Sequence, residues 1–238
     1  MLLQNQKAIV TGGGRGIGRA IALQFAREGA DVGIIARTEK EIIQVAAEIA
    51  NRGRSALPVA ADIADGQAVS EAIGQIQARF GRIDILVNNA GVEMKKPFVE
   101  LTLAEWDRTM NVNARGAAIC SKLVLPGMLK RQKGNIINIA SGAGLRGLPG
   151  STAYSASKAA MIAFTFALAD EVRDCGIRVN VICPGLIETD MLDRKAIAQK
   201  PANALLPDDV AGTAVFLASA LSGQVSGQVF SVRNSNRW

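Results

Sequence analysis

Short runs rich in β-branched and aliphatic residues alternate with longer, helix-patterned segments along almost the whole chain. The runs are KAIVT, DVGIIA, SALPVAAD, IDILVNN, GNIINIAS, IRVNVICP and GQVFSV. Several are apolar at both odd and even positions, the pattern of strands covered on two faces rather than one. Between them lie GIGRAIALQFAREG, EKEIIQVAAEIANRG, AVSEAIGQIQARFG, a long stretch from Thr102 to about Arg131, STAYSASKAAMIAFTFALADEVRDCG and LPDDVAGTAVFLAS. Strand, helix, strand repeated in this way predicts a parallel sheet with right-handed crossovers. No linker interrupts the series. The expectation is an α/β fold: one doubly wound, seven-stranded parallel sheet with helices on both faces, Rossmann-like, in a single domain over residues 1–238.

Composition agrees with a soluble globular chain: 49% hydrophobic and 20% charged residues over 238 positions. Only 4% are aromatic, so small side chains must fill much of the interior. Cys120, Cys175 and Cys183 lack metal-ligand spacing and read as reduced, mostly buried thiols. The opening MLLQNQKAIV lacks the charged region and long apolar run of a secretory signal, and no apolar stretch is long enough to span a bilayer. A cytoplasmic, unprocessed protein without a membrane partner is expected. The net charge of +6 is spread along the chain with little aromatic surface beside it, which argues against nucleic acid. An acidic small ligand or acidic protein partner would use the same charge.

The segment TGGGRGIG, Thr11 to Gly18, follows the first strand and opens the first helix. Glycines there let a phosphate approach the backbone, and the helix N-terminus presents free N–H groups to it. A tight turn alone would use the same residues. The spacing Gly12, Gly16, Gly18 is not GxGxxG; it resembles the TGxxxGxG turn of the short-chain dehydrogenase/reductase family. Further segments extend that resemblance from residue 7 to about 232, in order and at matching spacing. They are ADIAD with Asp62 and Ile63, NNAG with Asn89, Ala90 and Gly91, YSASK with Tyr154 and Lys158, and CPGLIETDM with Pro184, Gly185, Ile187 and Thr189. The resemblance implies that these residues, with Gly12, Arg15, Gly16, Ile17 and Gly18, line a nicotinamide dinucleotide, Asp62 near the adenine and Thr189 near the carboxamide.

The end of the second strand meets the adenosine ribose in such folds, and an acidic residue there binds the 2′-hydroxyl of NAD. Here IIARTEK offers Ala36 and Arg37, with no carboxylate before Glu39. Arg15 and Arg37 can converge on a 2′-phosphate, so the expected cofactor is NADP(H). The plainer use of Arg37 is to cap a solvated helix start.

Tyr154 is the only tyrosine, and the chain has no histidine. Lys158 stands one helical turn from it, on the same face. A phenol titrates near pH 10, so bringing it to neutrality takes roughly 3 pK units, or about 4 kcal/mol, of preference for the phenolate. A nearby ammonium is one source. Ser141, at the end of the fifth strand, is placed to hydrogen-bond a substrate oxygen while Tyr154 transfers the proton. In the family such positions form a Ser, Tyr, Lys set with an Asn from the helix after the fourth strand, which Asn113 matches best. The resemblance thus implies Asn113, Ser141, Tyr154 and Lys158 as catalytic residues, Lys158 also holding the ribose and Asn113 anchoring a water. No metal is needed. Taken singly, each side chain has an ordinary packing or surface use.

Within the family, RGIGRAIA, NNAG, YSASKAAM and RVNVICPGLIETDM look most like 3-oxoacyl-[acyl-carrier-protein] reductases. The substrate implied is a small carbonyl or alcohol, on acyl carrier protein in that case, and the assembly a homotetramer or homodimer. Lys130, Arg131, Lys133 and Arg173 fall near the ends of the two helices that flank the site, where they could receive an acidic carrier protein or, equally, form solvated helix ends. A dehydrogenase of another small alcohol, sugar or hydroxyacyl-CoA stays open, as does a non-catalytic NADP(H)-sensing regulator. Two departures stand out: a short lid segment from Leu192 to Leu206, and Arg233 and Asn234 in place of the family's closing glycine pair.

Overall fold

The computed structural model describes residues 1–187 and 205–233; Thr189, Asn234 and most of the Leu192–Leu206 lid segment lie outside the described residues. Seven strands form one sheet: β1 Lys7–Thr11, β2 Asp31–Ala36, β3 Ala56–Ala60, β4 Ile85–Asn88, β5 Gly134–Ile139, β6 Ile177–Pro184 and β7 Val229–Val232. Their order is β3-β2-β1-β4-β5-β6-β7, and every neighbouring pair is parallel. The order reverses between β1 and β4, which opens a crevice at the C-terminal edge, where such sheets bind ligands.

The two-sided apolar pattern of the strands has a direct physical cause. Ala8 and Val10 of β1 pack into one core with Ile21 and Phe25 of α1 (Gly16–Arg27), Ile42 and Ile49 of α2 (Glu39–Ala50), and a helix over Pro207–Ala218. Ile9, between them, packs into a second core with Ile73 and Ile76 of α3 (Gly66–Phe80). Alternate residues of one strand therefore enter opposite layers, and each layer removes apolar area from water at about 25 cal/mol per Å².

The stretch expected as one helix from Thr102 resolves into α4 (Leu103–Met110), a π-helical turn over Asn111–Arg115, and α5 (Gly116–Arg131). Thr102 caps α4 in a box with Glu105, each side chain bonding the other's backbone. A short α6 (Ala143–Arg146) follows β5, then α7 (Thr152–Glu171); the Pro207–Ala218 helix is α8. The thiols of Cys120, Cys175 and Cys183 are free; burial pushes that of Cys120 up to about 12. No helix among the described residues is long and apolar enough to cross a membrane.

Candidate active site

The turn after β1 is built so that backbone can approach backbone. Gly12 takes φ +64°, and a Cβ on Gly18 would stand 2.2 Å from Gly12 O and 2.4 Å from Asn89 Nδ2. No side chain fits at Gly18, so α1 starts hard against the strand end with its N–H groups open to the crevice. Arg15, the residue before the helix, makes no side-chain cap. The groove above it has a volume of about 210 Å³ and runs across the ends of β1 to β5. That cradle suits the phosphates of a dinucleotide.

Gly12, Arg15, Gly16, Ile17, Arg37, Asp62, Ile63, Asn89, Ala90, Gly91, Tyr154 and Lys158 all line this groove. Gly18 lies buried beneath it. Asp62 is engaged in its own turn, Oδ1 accepting from Ala64 N at 3.0 Å. The Asn89 turn is tied to β1: Thr11 Oγ1 accepts from Asn89 N and Ala90 N at 3.0 and 3.1 Å, and Asn89 Nδ2 donates to Thr11 O at 2.9 Å. One residue earlier, Asn88 Nδ2 donates to Ser121 Oγ and Asn138 Oδ1, joining β4 to α5 and β5 through buried polar groups.

Asn113 sits in the π turn, fully buried. Its neighbour Val112 lines the groove; Asn113 itself does not. Its Nδ2 donates to Val92 O and Ser157 Oγ, both at 2.9 Å, and its Oδ1 accepts from Val92 N at 2.8 Å. Both donors are thus spent and one acceptor lone pair is left.

Ser141, Tyr154 and Lys158 converge where the groove meets a second cavity of about 360 Å³. Ser141, Tyr154, Pro184, Gly185 and Ile187 line that second space together with Ile17, which borders both. Ser141 Oγ accepts from Ala143 N at 3.1 Å, which leaves its own proton to donate. Lys158 is 3% exposed; Nζ donates to Ile139 O at 2.8 Å and lies 5.7 Å from the centre of the Tyr154 ring. Burial pushes the Lys158 ammonium down to about 8. It also pushes the Tyr154 phenol up to about 12; the Ser141 hydroxyl opposes that rise and the Glu93 carboxylate adds to it. In the protein alone the phenol is thus a weaker acid than a free one and rests protonated.

Over residues 6–200 the chain matches the family model described as short chain dehydrogenase. It belongs to the short-chain dehydrogenase/reductase family. The chain is 41% identical over 240 residues to (2S)-[(R)-hydroxy(phenyl)methyl]succinyl-CoA dehydrogenase subunit BbsD of Thauera aromatica, covering 98% of this chain and 96% of that one. It is 40% identical over 237 residues to a 3-oxoacyl-[acyl-carrier-protein] reductase of Synechocystis, covering 97% and 96%. The solved structure of levodione reductase superposes with a TM-score of 0.92 at 28% identity, over 98% of both chains. The chain is therefore an oxidoreductase of the kind that uses a nicotinamide cofactor.

Lys130, Arg131, Lys133 and Arg173 do not border the mouth within a chain. A crossover helix starts at the C-terminal edge of the sheet and ends at the N-terminal edge, so α5 delivers Arg131 to Ile83 O, at the foot of β4. Sequence reasoning also missed several lining residues. Thr38 and Glu41 border the groove beside Arg15 and Arg37, and Glu93, Arg146 and Leu148 line the second cavity. No motif reaches them; Glu93 stands two residues past NNAG.

Proposed function

We propose that the chain is an NADP(H)-dependent reductase of 3-oxoacyl thioesters, acting in the cytoplasm on acyl groups borne by acyl carrier protein. One observation carries the cofactor half: Arg15 and Arg37 border the same end of the groove, and neither pairs with a carboxylate among the described residues. Planar guanidinium groups suit a ribose 2′-phosphate. For the substrate half, the names of both the Synechocystis and the Thauera relatives describe redox chemistry on an acyl thioester.

When bound, NADPH supplies the hydride. Gly12, Gly16, Ile17 and Gly18 would admit its phosphates at the start of α1, with Asp62 and Ile63 toward the adenine, Asn89 to Gly91 along one wall, and Pro184, Gly185 and Ile187 toward the substrate side. Ser141 donates a hydrogen bond to the substrate oxygen, and Tyr154 passes its phenolic proton to that oxygen as the carbonyl becomes an alcohol. Lys158 stabilises the phenolate left behind and binds the ribose. Asn113, through its remaining Oδ1 lone pair, holds the water that returns a proton to the pair. Oxidation of an alcohol runs the same transfers backwards.

The Thauera relative favours a second reading, a hydroxyacyl-CoA dehydrogenase using the same residues. NADPH consumption with acetoacetyl groups on carrier protein and on CoA, against a panel of simple ketones and sugars, separates the readings. Preference for the carrier-borne substrate supports the first; equal turnover of unrelated ketones with none on thioesters would sink both. The exposed Phe98, Val99 and Leu103 (64%, 92% and 82%) support pairing of copies into a homodimer or homotetramer. Light scattering that reports a monomer would remove that part.

A further inference from the structure

Glu93 stands two residues beyond the Asn89–Gly91 turn, and its carboxylate lines the second cavity together with Tyr154 and Ser141. It is held from α7: Ser151, the residue that opens that helix, is buried and donates Oγ to Glu93 Oε1 at 2.7 Å. A serine in this place ordinarily caps its own helix, but Ser151 makes no side-chain cap. Its hydroxyl instead fixes a foreign carboxylate at the start of α7, where the helix N-terminus favours negative charge. Lys96 N donates to Gly150 O at 2.8 Å, which locks the Glu93 loop against the same end of α7. Tyr154 is the third residue of that helix. The carboxylate and the phenol are therefore fixed relative to one another by a single element.

We propose that Glu93 is a positioning residue for Tyr154: its fixed negative charge keeps the site resting with the phenol protonated, the form that enters reduction, and moves upward the pH at which alcohol oxidation sets in. The proposal rests on the reading of Tyr154 as proton donor. The other charged or titratable groups around the phenol are Lys158 on α7 itself, Cys183 on β6 and Arg146 on α6, with the Ser141 hydroxyl above β5. Among the carboxylates of the described residues, Glu93 alone raises the phenol, and burial acts in the same direction. Lys158 Nζ lies 5.7 Å from the ring centre, and the Ser141 hydroxyl opposes the rise. No carboxylate pairs with Lys158 or Arg146 among the described residues.

Because the chain has one tyrosine, the ultraviolet absorbance of tyrosinate reports Tyr154 alone. The experiment is an alkaline absorbance titration of the whole protein, followed in parallel by circular dichroism, for wild type, Glu93→Gln and Glu93→Asp. Removing one charge across a partly solvated gap should lower the midpoint by roughly half to one pH unit in Glu93→Gln, with most of the shift restored in Glu93→Asp. The pH limb of alcohol oxidation should move down by the same amount in Glu93→Gln, so that oxidation gains at neutral pH and reduction does not. An unmoved midpoint in a folded Glu93→Gln protein overturns the role of Glu93. Where the fold is lost before the phenol ionises, an unmoved oxidation limb overturns it equally. Should Tyr154→Phe keep full turnover, the proton donor itself is misassigned, and that failure is distinct from an unmoved midpoint beside an inactive Tyr154→Phe.

Discussion

At the N-terminal edge of the sheet, Asp31 lies 2.5 Å from Lys7 and 2.8 Å from Arg54, and Asp84 lies 3.0 Å from Arg82 and 4.0 Å from Arg131. At the C-terminal edge, Arg15, Arg37, Arg146 and Lys158 have no carboxylate within ion-pair distance among the described residues. The two edges belong to the same strands and differ by a strand's length. Charges at the base complete one another when the chain folds; charges at the mouth are left for a ligand to complete. The difference separates residues whose loss should unfold the protein from residues whose loss should only disarm it.

The largest effect should come at the mouth. Tyr154→Phe keeps the ring and removes only the proton, and kcat/KM should fall by about 1,000-fold while dinucleotide affinity, read by fluorescence titration, stays within about threefold. A folded variant with undiminished turnover would break the assignment. The next effect belongs to the base. Asp31→Asn leaves Lys7 and Arg54 facing a neutral amide in a setting where the carboxylate is 11% exposed, and should cost about 3 kcal/mol in denaturant unfolding with dinucleotide affinity unchanged. Burial raises this carboxyl, but the bonds from Lys7 and Ser55 and the charge of Arg54 outweigh it and hold it below its ordinary range. A depressed carboxylate stabilises the fold above its unfolded value and stops doing so as pH falls through its folded value. Wild type should therefore lose stability below about pH 4 along a slope that Asp31→Asn lacks.

The same contrast shows what could be read from sequence. The strands were legible because both faces are covered, so runs such as DVGIIA are apolar at both parities after their first residue, Asp31. Tyr154 and Lys158 were legible because a spacing of four is a local property of a helix. Asn113 could be assigned to the site but not to a π turn, since that turn is held by bonds to Val92 and Ser157, far away in the chain. Glu93 and Arg146 were not legible at all: their place on the cavity wall depends on how the loops after β4 and β5 settle against α7. The basic residues at the end of α5 left two uses open, a carrier-protein patch or a solvated helix end; the crossover delivers them to the base of the sheet, which favours the second.

Arg37→Ala sharpens the comparison from the mouth. Its guanidinium packs no core, so the unfolding midpoint should hold while NADPH binding weakens about tenfold to thirtyfold and NADH binding changes little. Equal loss for both dinucleotides would move Arg37 from the 2′-phosphate to a general attraction. Glu41 borders the same end of the groove, so its carboxylate would weaken such a preference.

The smallest effect tests the base where it is most solvated. Arg82 Nε donates to both oxygens of Asp84 at 3.0 Å, and its Nη2 donates to Asn5 O at 3.0 Å, but its side chain is 44% exposed while Asp84 is only 6% exposed. Water screens the arginine, and the aspartate keeps other partners: Lys7 N donates to Oδ2 at 2.9 Å and Arg131 stands 4.0 Å from Oδ1. Arg82→Gln should therefore cost about 0.5 to 1 kcal/mol, well short of Asp31→Asn. A loss as large as that of Asp31→Asn would mean that Arg82 alone neutralises Asp84 and that the base is a set of separate pairs. A loss near the lower figure means that the backbone N–H of Lys7 and the guanidinium of Arg131 hold the Asp84 carboxylate, so that the base of the sheet shares its acids among several donors while the mouth keeps its cations unshared.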